Sequence, residues 1–337
     1  MSDRAPVRVG ILGTGAIAQI VHLPILTHME GVEVAAICDV DRDKARAIAS
    51  RFGVRRVYSE DAALFGDDLD AIVICTPSNL HEAQAIAAME AGKDVLVEKP
   101  LALTADGAQR VLDAAERTGR SVMVAMNSRY RPDAHALKPL LDRRELGDVY
   151  MVSAGWLNRR VHTVRPTWRH RRETAGGGAL MDLGVQILDL CLWLLDFPRV
   201  ERLVARLHPG QGMEVEDSGV LSCSLAGGLS LSIDVSWSLV APRDRYHLDV
   251  LGTRGSASLP PLAVHRETEQ GVVDVTPRLS TGGENLYMTS YRRELEAMVE
   301  ICRGERRAEP PREQVELMRL MTLAYRSYQE GRELDAT

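Results

Sequence analysis

The rhythm of apolar and polar positions changes once along the chain. Over the first 125 residues, continuous apolar runs alternate with helical patterns. The runs are Val7–Leu12, Val32–Cys38, 70–75, 94–97 and 121–125, and the helical stretches include 41–52, 79–91 and 104–118. Strands with no polar face, separated by helices, predict a parallel sheet covered on both sides.

After residue 126 the pattern becomes strand-rich, with runs at 147–156, 200–207, 218–225, 228–237 and 246–251. Leu229, Leu231, Ile233 and Val235 alternate with Ser230, Ser232, Asp234 and Ser236. Such alternation predicts a largely antiparallel, open-faced sheet with one face on a core. Gly227-Gly228 suits a hairpin turn. A long apolar helix over 179–195 precedes most of these strands, and amphipathic helices over 289–303 and 312–330 close the chain. The expectation is an α/β doubly wound domain over 1–125. An α+β domain over 126–337 follows, with the last helices packing back toward the first. A length of 337 residues fits two domains at roughly 150 each.

Composition narrows the function classes. The net charge is −6 and aromatics are 4%. An acidic chain poor in stacking rings argues against a nucleic-acid partner. No apolar run approaches 18 uncharged residues, so no membrane span is expected. The polar N-terminal residues carry no secretory pattern, and five scattered cysteines without a CxxC pair suggest reduced thiols and no zinc. A cytoplasmic setting is the expectation. Only Lys44, Lys93, Lys99 and Lys138 supply lysine among 41 basic residues, so each lysine attracts interest.

Gly13-Thr14-Gly15-Ala16-Ile17-Ala18 follows the first strand and opens a helix. This is the GxGxxG/A arrangement. The first glycine permits a tight turn, the second lets backbone approach a pyrophosphate, and the third small residue allows helix–strand packing. Asp39 ends the second strand, 39 − 15 = 24 residues beyond Gly15, where a carboxylate binds ribose hydroxyls. That carboxylate would repel a 2′-phosphate and favours NAD over NADP. Arg42 keeps NADP as the alternative.

Further motifs sharpen the picture. Thr76-Pro77-Ser78-Asn79-Leu80-His81 follows the third run, Glu98-Lys99-Pro100 follows the fourth, and Gly176-Gly177-Gly178 leads into Asp182. Together these resemble the glucose–fructose oxidoreductase, inositol dehydrogenase and MocA (Gfo/Idh/MocA) family over nearly the whole chain. The resemblance implies hydride transfer between NAD(P) and a sugar, sugar-acid or cyclitol hydroxyl or ketone. It implies that Lys99 is the active-site lysine and Asp182 the active-site carboxylate. Thr76, Pro77, Asn79 and His81 would line the nicotinamide and ribose, and Glu98 would contact the cofactor. Asn127 and Arg129 would lie near the nicotinamide, and Trp168 and Arg169 near the pyrophosphate. Homodimers or homotetramers through the second sheet are implied as well.

The chain's own pattern supports part of this. Open α/β sheets bind ligands at strand C-terminal ends, where Thr76, Glu98 and Lys99 sit. In the apolar helix, Asp182, Gln186 and Asp189 fall on one face. The sequence departs from the family at Gln186, which stands where the pattern has histidine. Glutamine hydrogen-bonds but transfers no proton at neutral pH. Two other readings therefore stay open: a cofactor- and sugar-binding regulator without turnover, and a redox-neutral glycoside-processing enzyme that recycles bound NAD. Tyr130, His162, His170, Tyr246 and Tyr287 are candidate substitutes for the missing acid/base. Arg159, Arg160, Arg165, Arg169, Arg171 and Arg172 cluster within fourteen residues and suit either an anionic sugar or a solvated loop.

Overall fold

The computed structural model describes residues 5–160, 167–210, 212–279 and 285–337. They form two compact units. One comprises the residues up to Asn127 with Tyr291–Val315, the other Ser128–Ser290 with Glu316–Thr337.

The first unit holds a six-stranded parallel sheet: β1 Val7–Leu12, β2 Val32–Cys38, β3 Arg56–Tyr58, β4 Ala71–Ile74, β5 Asp94–Glu98 and β6 Val122–Ala125. The strand order is β3-β2-β1-β4-β5-β6. The order reverses between β1 and β4, the switch point at which doubly wound sheets bind ligands. Val9, Ile11, Ile37, Ile72, Ile74 and Leu96 are wholly buried, as continuous apolar strands require. Helix Arg42–Phe52 starts at the Asp41 carboxylate, which accepts from the Lys44 N–H at 3.0 Å. Helix Ala105–Thr118 starts likewise at Thr104. Leu295, Met298 and Val299 of helix Leu286–Cys302 pack in the same core as Val9 and Ile11.

The second unit is built on nine strands: β7 Val149–Arg159, β8 Val200–Pro209, β9 Glu216–Leu225, β10 Leu229–Leu239, β11 Arg245–Gly252, β12 Gly255–Leu259, β13 Ala263–Thr268, β14 Gly271–Asp274 and β15 Leu334–Asp335. Their order is β14-β13-β12-β11-β7-β10-β9-β8-β15. Every neighbouring pair is antiparallel except β7 with β10. Gly227 and Gly228 turn the β9–β10 hairpin at φ +83° and +80°, which side chains rarely adopt. Leu229, Leu231, Ile233 and Val235 are buried, while Ser230 is exposed and Ser232 and Asp234 are half-buried. Ser236 differs from the expected polar face, being 9% exposed.

The apolar helix runs as a turn of π geometry, Leu180–Gly184, continued by Val185–Leu194. The stretch Arg172–Leu194 is long and apolar enough to cross a membrane by composition, but 89% of its most apolar window is buried inside the protein. It is a core helix of this unit, as its fit against β7, β9 and β10 requires.

Candidate active site

The first group of candidate residues surrounds the end of β1. Gly13 has φ +90°, and a Cβ there would stand 2.9 Å from the Cys75 carbonyl group and the Thr76 nitrogen. Only glycine fits. A Cβ on Gly15 would make only an ordinary contact, 3.9 Å from the Cys75 carbonyl oxygen. Ala16 is exposed and Ile17 half-buried, at the start of the helix. Intrahelical bonding begins with the Gln19 N–H donating to the Gly15 carbonyl, so the preceding amides are free of helix partners by geometry. Gln19 Nε2 ties the turn down by donating to the Thr14 carbonyl at 2.8 Å.

Asp39 lies at the end of β2, 9% exposed. Its Oδ2 accepts from the Thr14 N–H at 2.8 Å, the Thr14 hydroxyl at 2.6 Å and Lys44 Nζ at 2.9 Å. Its Oδ1 accepts from the Asp41 N–H at 3.0 Å. Burial pushes the carboxyl up, but these hydrogen bonds outweigh it and hold the group below the usual aspartate range. Arg42 is exposed. Lys44 is a residue that sequence reasoning missed; its signal was the scarcity of lysine. An adenosine ribose fits the Asp39 carboxylate, and a pyrophosphate fits the glycine turn at a helix start. This group therefore suits a dinucleotide.

The ends of β4 and β5 carry the next group. Thr76 and Pro77 are half-buried and Asn79 is exposed. The Thr76 hydroxyl donates to Gln84 Oε1 at 2.5 Å, and Gln84 donates to Asp61 at 2.6 Å. His81 is 1% exposed, with Nδ1 2.7 Å from the Pro100 carbonyl and Nε2 2.9 Å from the Thr76 carbonyl. A neutral ring donates to one of these at a time. Burial lowers its pKa against the pull of both carbonyls. His81 thus braces the two loops from beneath and does not offer a nitrogen outward.

Glu98 is turned inward too. Its Oε1 meets His22 Nε2 at 2.7 Å, with His22 wholly buried. Burial raises the Glu98 carboxyl, but the His22 hydrogen bond and nearby His22, Lys99 and His81 charges lower it further, so it remains ionised. His22 lies in the π turn Ala18–His22. The pair ties the phosphate-loop helix to the strand end that bears half-buried Lys99. Asn127 is 4% exposed.

In the second unit, Asp182 sits half-buried within the π turn and Gln186 one turn later at 6% exposure. Gln186 Nε2 donates to the Asp182 backbone carbonyl at 3.1 Å. Asp189, the third polar position, is wholly buried in a bidentate pair with Arg129, at 2.7 and 2.5 Å. The polar stripe is thus divided between half-buried Asp182 with Gln186 and a buried ion pair. Arg131 holds buried Asp133 in the same bidentate manner and lies 4.7 Å over the Tyr246 ring. Burial pushes the Tyr246 phenol up to about 12, which removes it as an acid/base.

Trp168 is half-buried, and the exposed Arg169 guanidinium stacks on it at 4.5 Å. His170 is structural: its Nδ1 accepts from the Thr167 N–H at 2.9 Å, and its ring meets Trp237 edge-on at 6.0 Å. Arg159, Arg160, Arg171 and Arg172 are exposed. His162 and Arg165 lie outside the described residues.

Known proteins share the sequence pattern and the fold. Residues 7–126 match the model of an oxidoreductase family with an NAD-binding Rossmann fold, and 134–258 match the GFO/IDH/MocA C-terminal domain. The chain is a Gfo/Idh/MocA oxidoreductase. It is 31% identical over 265 residues to inositol 2-dehydrogenase of Acidothermus cellulolyticus, covering 77% of this chain and 74% of that one. It is 26% identical to D-glucoside 3-dehydrogenase of Escherichia coli strain K12, over 89% of each. Among solved structures, GenD2 from gentamicin A biosynthesis, in complex with NAD, superposes with a TM-score of 0.85 at 27% identity, over 99% of this chain and 97% of that one. This Gfo/Idh/MocA chain is an NAD-binding oxidoreductase, and its first unit is the family's Rossmann fold.

Proposed function

We propose that the enzyme oxidises a hydroxyl of a sugar, sugar acid or cyclitol with NAD, or reduces the matching ketone. The observation that carries this is the placing of Asp182 and Gln186 one turn apart on a helix whose one other polar residue, Asp189, is tied up with Arg129, in a chain that also has Lys99 at a Rossmann strand end. Two neighbouring groups, one carboxylate and one amide, suit adjacent hydroxyls of a polyol. Relatives named for inositol and for glucosides support the substrate class.

Bound NAD supplies the hydride acceptor. Lys99 Nζ hydrogen-bonds the reacting oxygen and, in its amine form, takes the hydroxyl proton. Asp182 accepts from a substrate hydroxyl and orients it. Gln186, its nitrogen committed to the Asp182 carbonyl, presents its oxygen to a second hydroxyl. Asp39 holds the adenosine ribose, with NADP excluded by its charge. Gly13, Gly15, Ala16 and Ile17 hold the pyrophosphate, and Thr76, Pro77 and Asn79 flank the nicotinamide.

We further propose a cytoplasmic homo-oligomer that needs neither membrane nor nucleic acid. The open face of the second sheet, with Ser222, Ser224, Ser230 and Ser232 beside exposed Met151 and Val220, is the surface that would join copies. The test of the function is a panel of sugars, sugar acids and cyclitols with NAD, read as NADH absorbance at about 340 nm. Turnover on one class confirms the reading. Firmly held NAD, with turnover of a glycoside and no net NADH, would replace it with the redox-neutral scheme.

A further inference from the structure

The helix that carries Asp182 and Gln186 starts against two side chains that no motif marks. Glu216, on β9, is 5% exposed. Its Oε1 accepts from the backbone N–H of Gly178 at 2.9 Å and of Leu180 at 3.1 Å. The Tyr325 hydroxyl, from helix Glu313–Glu330, donates to the same oxygen at 2.8 Å. One carboxylate oxygen, itself held by the phenol, therefore satisfies two amides that a helix start leaves without partners. Burial and the Glu216 charge hold the Tyr325 phenol well above its usual range, so it stays a donor.

The glycine run is explained by the same contacts. A Cβ on Gly177 would collide with the Tyr325 hydroxyl, and one on Gly178 with the Glu216 backbone carbonyl. The run serves close approach, not anion binding. The contacts then pass along the helix. The Asp182 N–H donates to the Gly178 carbonyl at 2.9 Å, and Gln186 Nε2 donates to the Asp182 carbonyl at 3.1 Å. Any shift of Gly178 reaches Asp182 directly and Gln186 through it. A buried carboxylate is costly unless its lone pairs are filled, and here three donors fill one oxygen.

We propose that Glu216 and Tyr325 are positioning residues for the reaction, fixing the start and rotation of the helix that presents Asp182 and Gln186 to substrate. This rests on the oxidoreductase reading above.

The test uses the full-length protein and compares Glu216→Gln, Glu216→Ala and Tyr325→Phe. Glutamine keeps an oxygen acceptor, so it should partly rescue what alanine loses. Expected losses in kcat on the best substrate are about 3- to 30-fold for Glu216→Gln, more for Glu216→Ala, and about 2- to 10-fold for Tyr325→Phe. NADH affinity should stay within about twofold in each, because the phosphate loop and Asp39 belong to the other unit. Amide hydrogen exchange over 178–186 should quicken in the variants. Should Glu216→Ala fail to fold, the two milder variants decide. Folded variants with unchanged kcat and unchanged exchange would overturn the proposal. If the unmodified protein oxidises no member of the panel, the functional reading fails separately. Exchange then decides the positioning role alone: faster exchange supports it, and unchanged exchange overturns it.

Discussion

At the residue scale, burial differs among the charged groups of the proposed site. Asp189, Asp133, Glu98 and His81 are all buried and committed to neighbours, whereas Lys99 and Asp182 are half-buried. Lys99→Met should lower turnover by about 100- to 10,000-fold, the usual cost of losing one acid/base group, with NADH affinity kept within a few fold. A variant retaining more than about a tenth of the rate would make Lys99 structural. Gln186→Ala should mainly raise KM, by about 1–3 kcal/mol in substrate binding. Asp39 sets a pH expectation. Its pKa is depressed, so its contribution is complete above the ordinary aspartate value and lost as pH falls through the lower native one. Fluorescence titration at about pH 8 should therefore show NADH bound more tightly than NADPH, Asp39 and the 2′-phosphate both being fully ionised there. Equal or tighter NADPH binding would give the choice to Arg42 and Lys44.

At the scale of elements, the two glycines of the phosphate loop do different work and can be separated. Gly13→Ala combines a positive φ with a clash against Cys75 and Thr76, so it should destabilise the fold by about 1–3 kcal/mol. Gly15→Ala makes only an ordinary contact, 3.9 Å from the Cys75 carbonyl oxygen, so its melting temperature should barely move while NADH affinity falls at least about tenfold. Thermal unfolding beside NADH titration checks both; equal melting losses would remove the distinction. Continuous apolar runs made the parallel strands legible in the sequence, and the Leu–Ser alternation did the same for β10. The short strands β3, β12 to β15 and the helix Pro132–Asp142 escaped, because two to six residues of mixed polarity carry little periodicity and a proline at 139 reads as a helix breaker. The π turns at Ala18–His22 and Leu180–Gly184 left no compositional trace. Glu216 escaped for another reason: its partner Gly178 lies 38 residues away, beyond any local pattern.

At the scale of the whole molecule, a chain of 37.1 kDa with a nine-stranded sheet exposes a wide face of serines and a few apolar residues. Light scattering at micromolar concentration should give a dimer or tetramer; a monomer alone would contradict association through that face. The account as a whole stands on hydride transfer to NAD with glutamine in the histidine position. Its most direct test is the rate of NADH formation by the unmodified enzyme across the sugar and cyclitol panel, beside that of Gln186→His. The account predicts clear turnover by the unmodified enzyme, kept or raised in the variant, since Asp182 one turn away can orient an imidazole. An inert unmodified protein beside an active Gln186→His variant would contradict it, and would make the chain a cofactor-binding regulator whose chemistry Gln186 turned off.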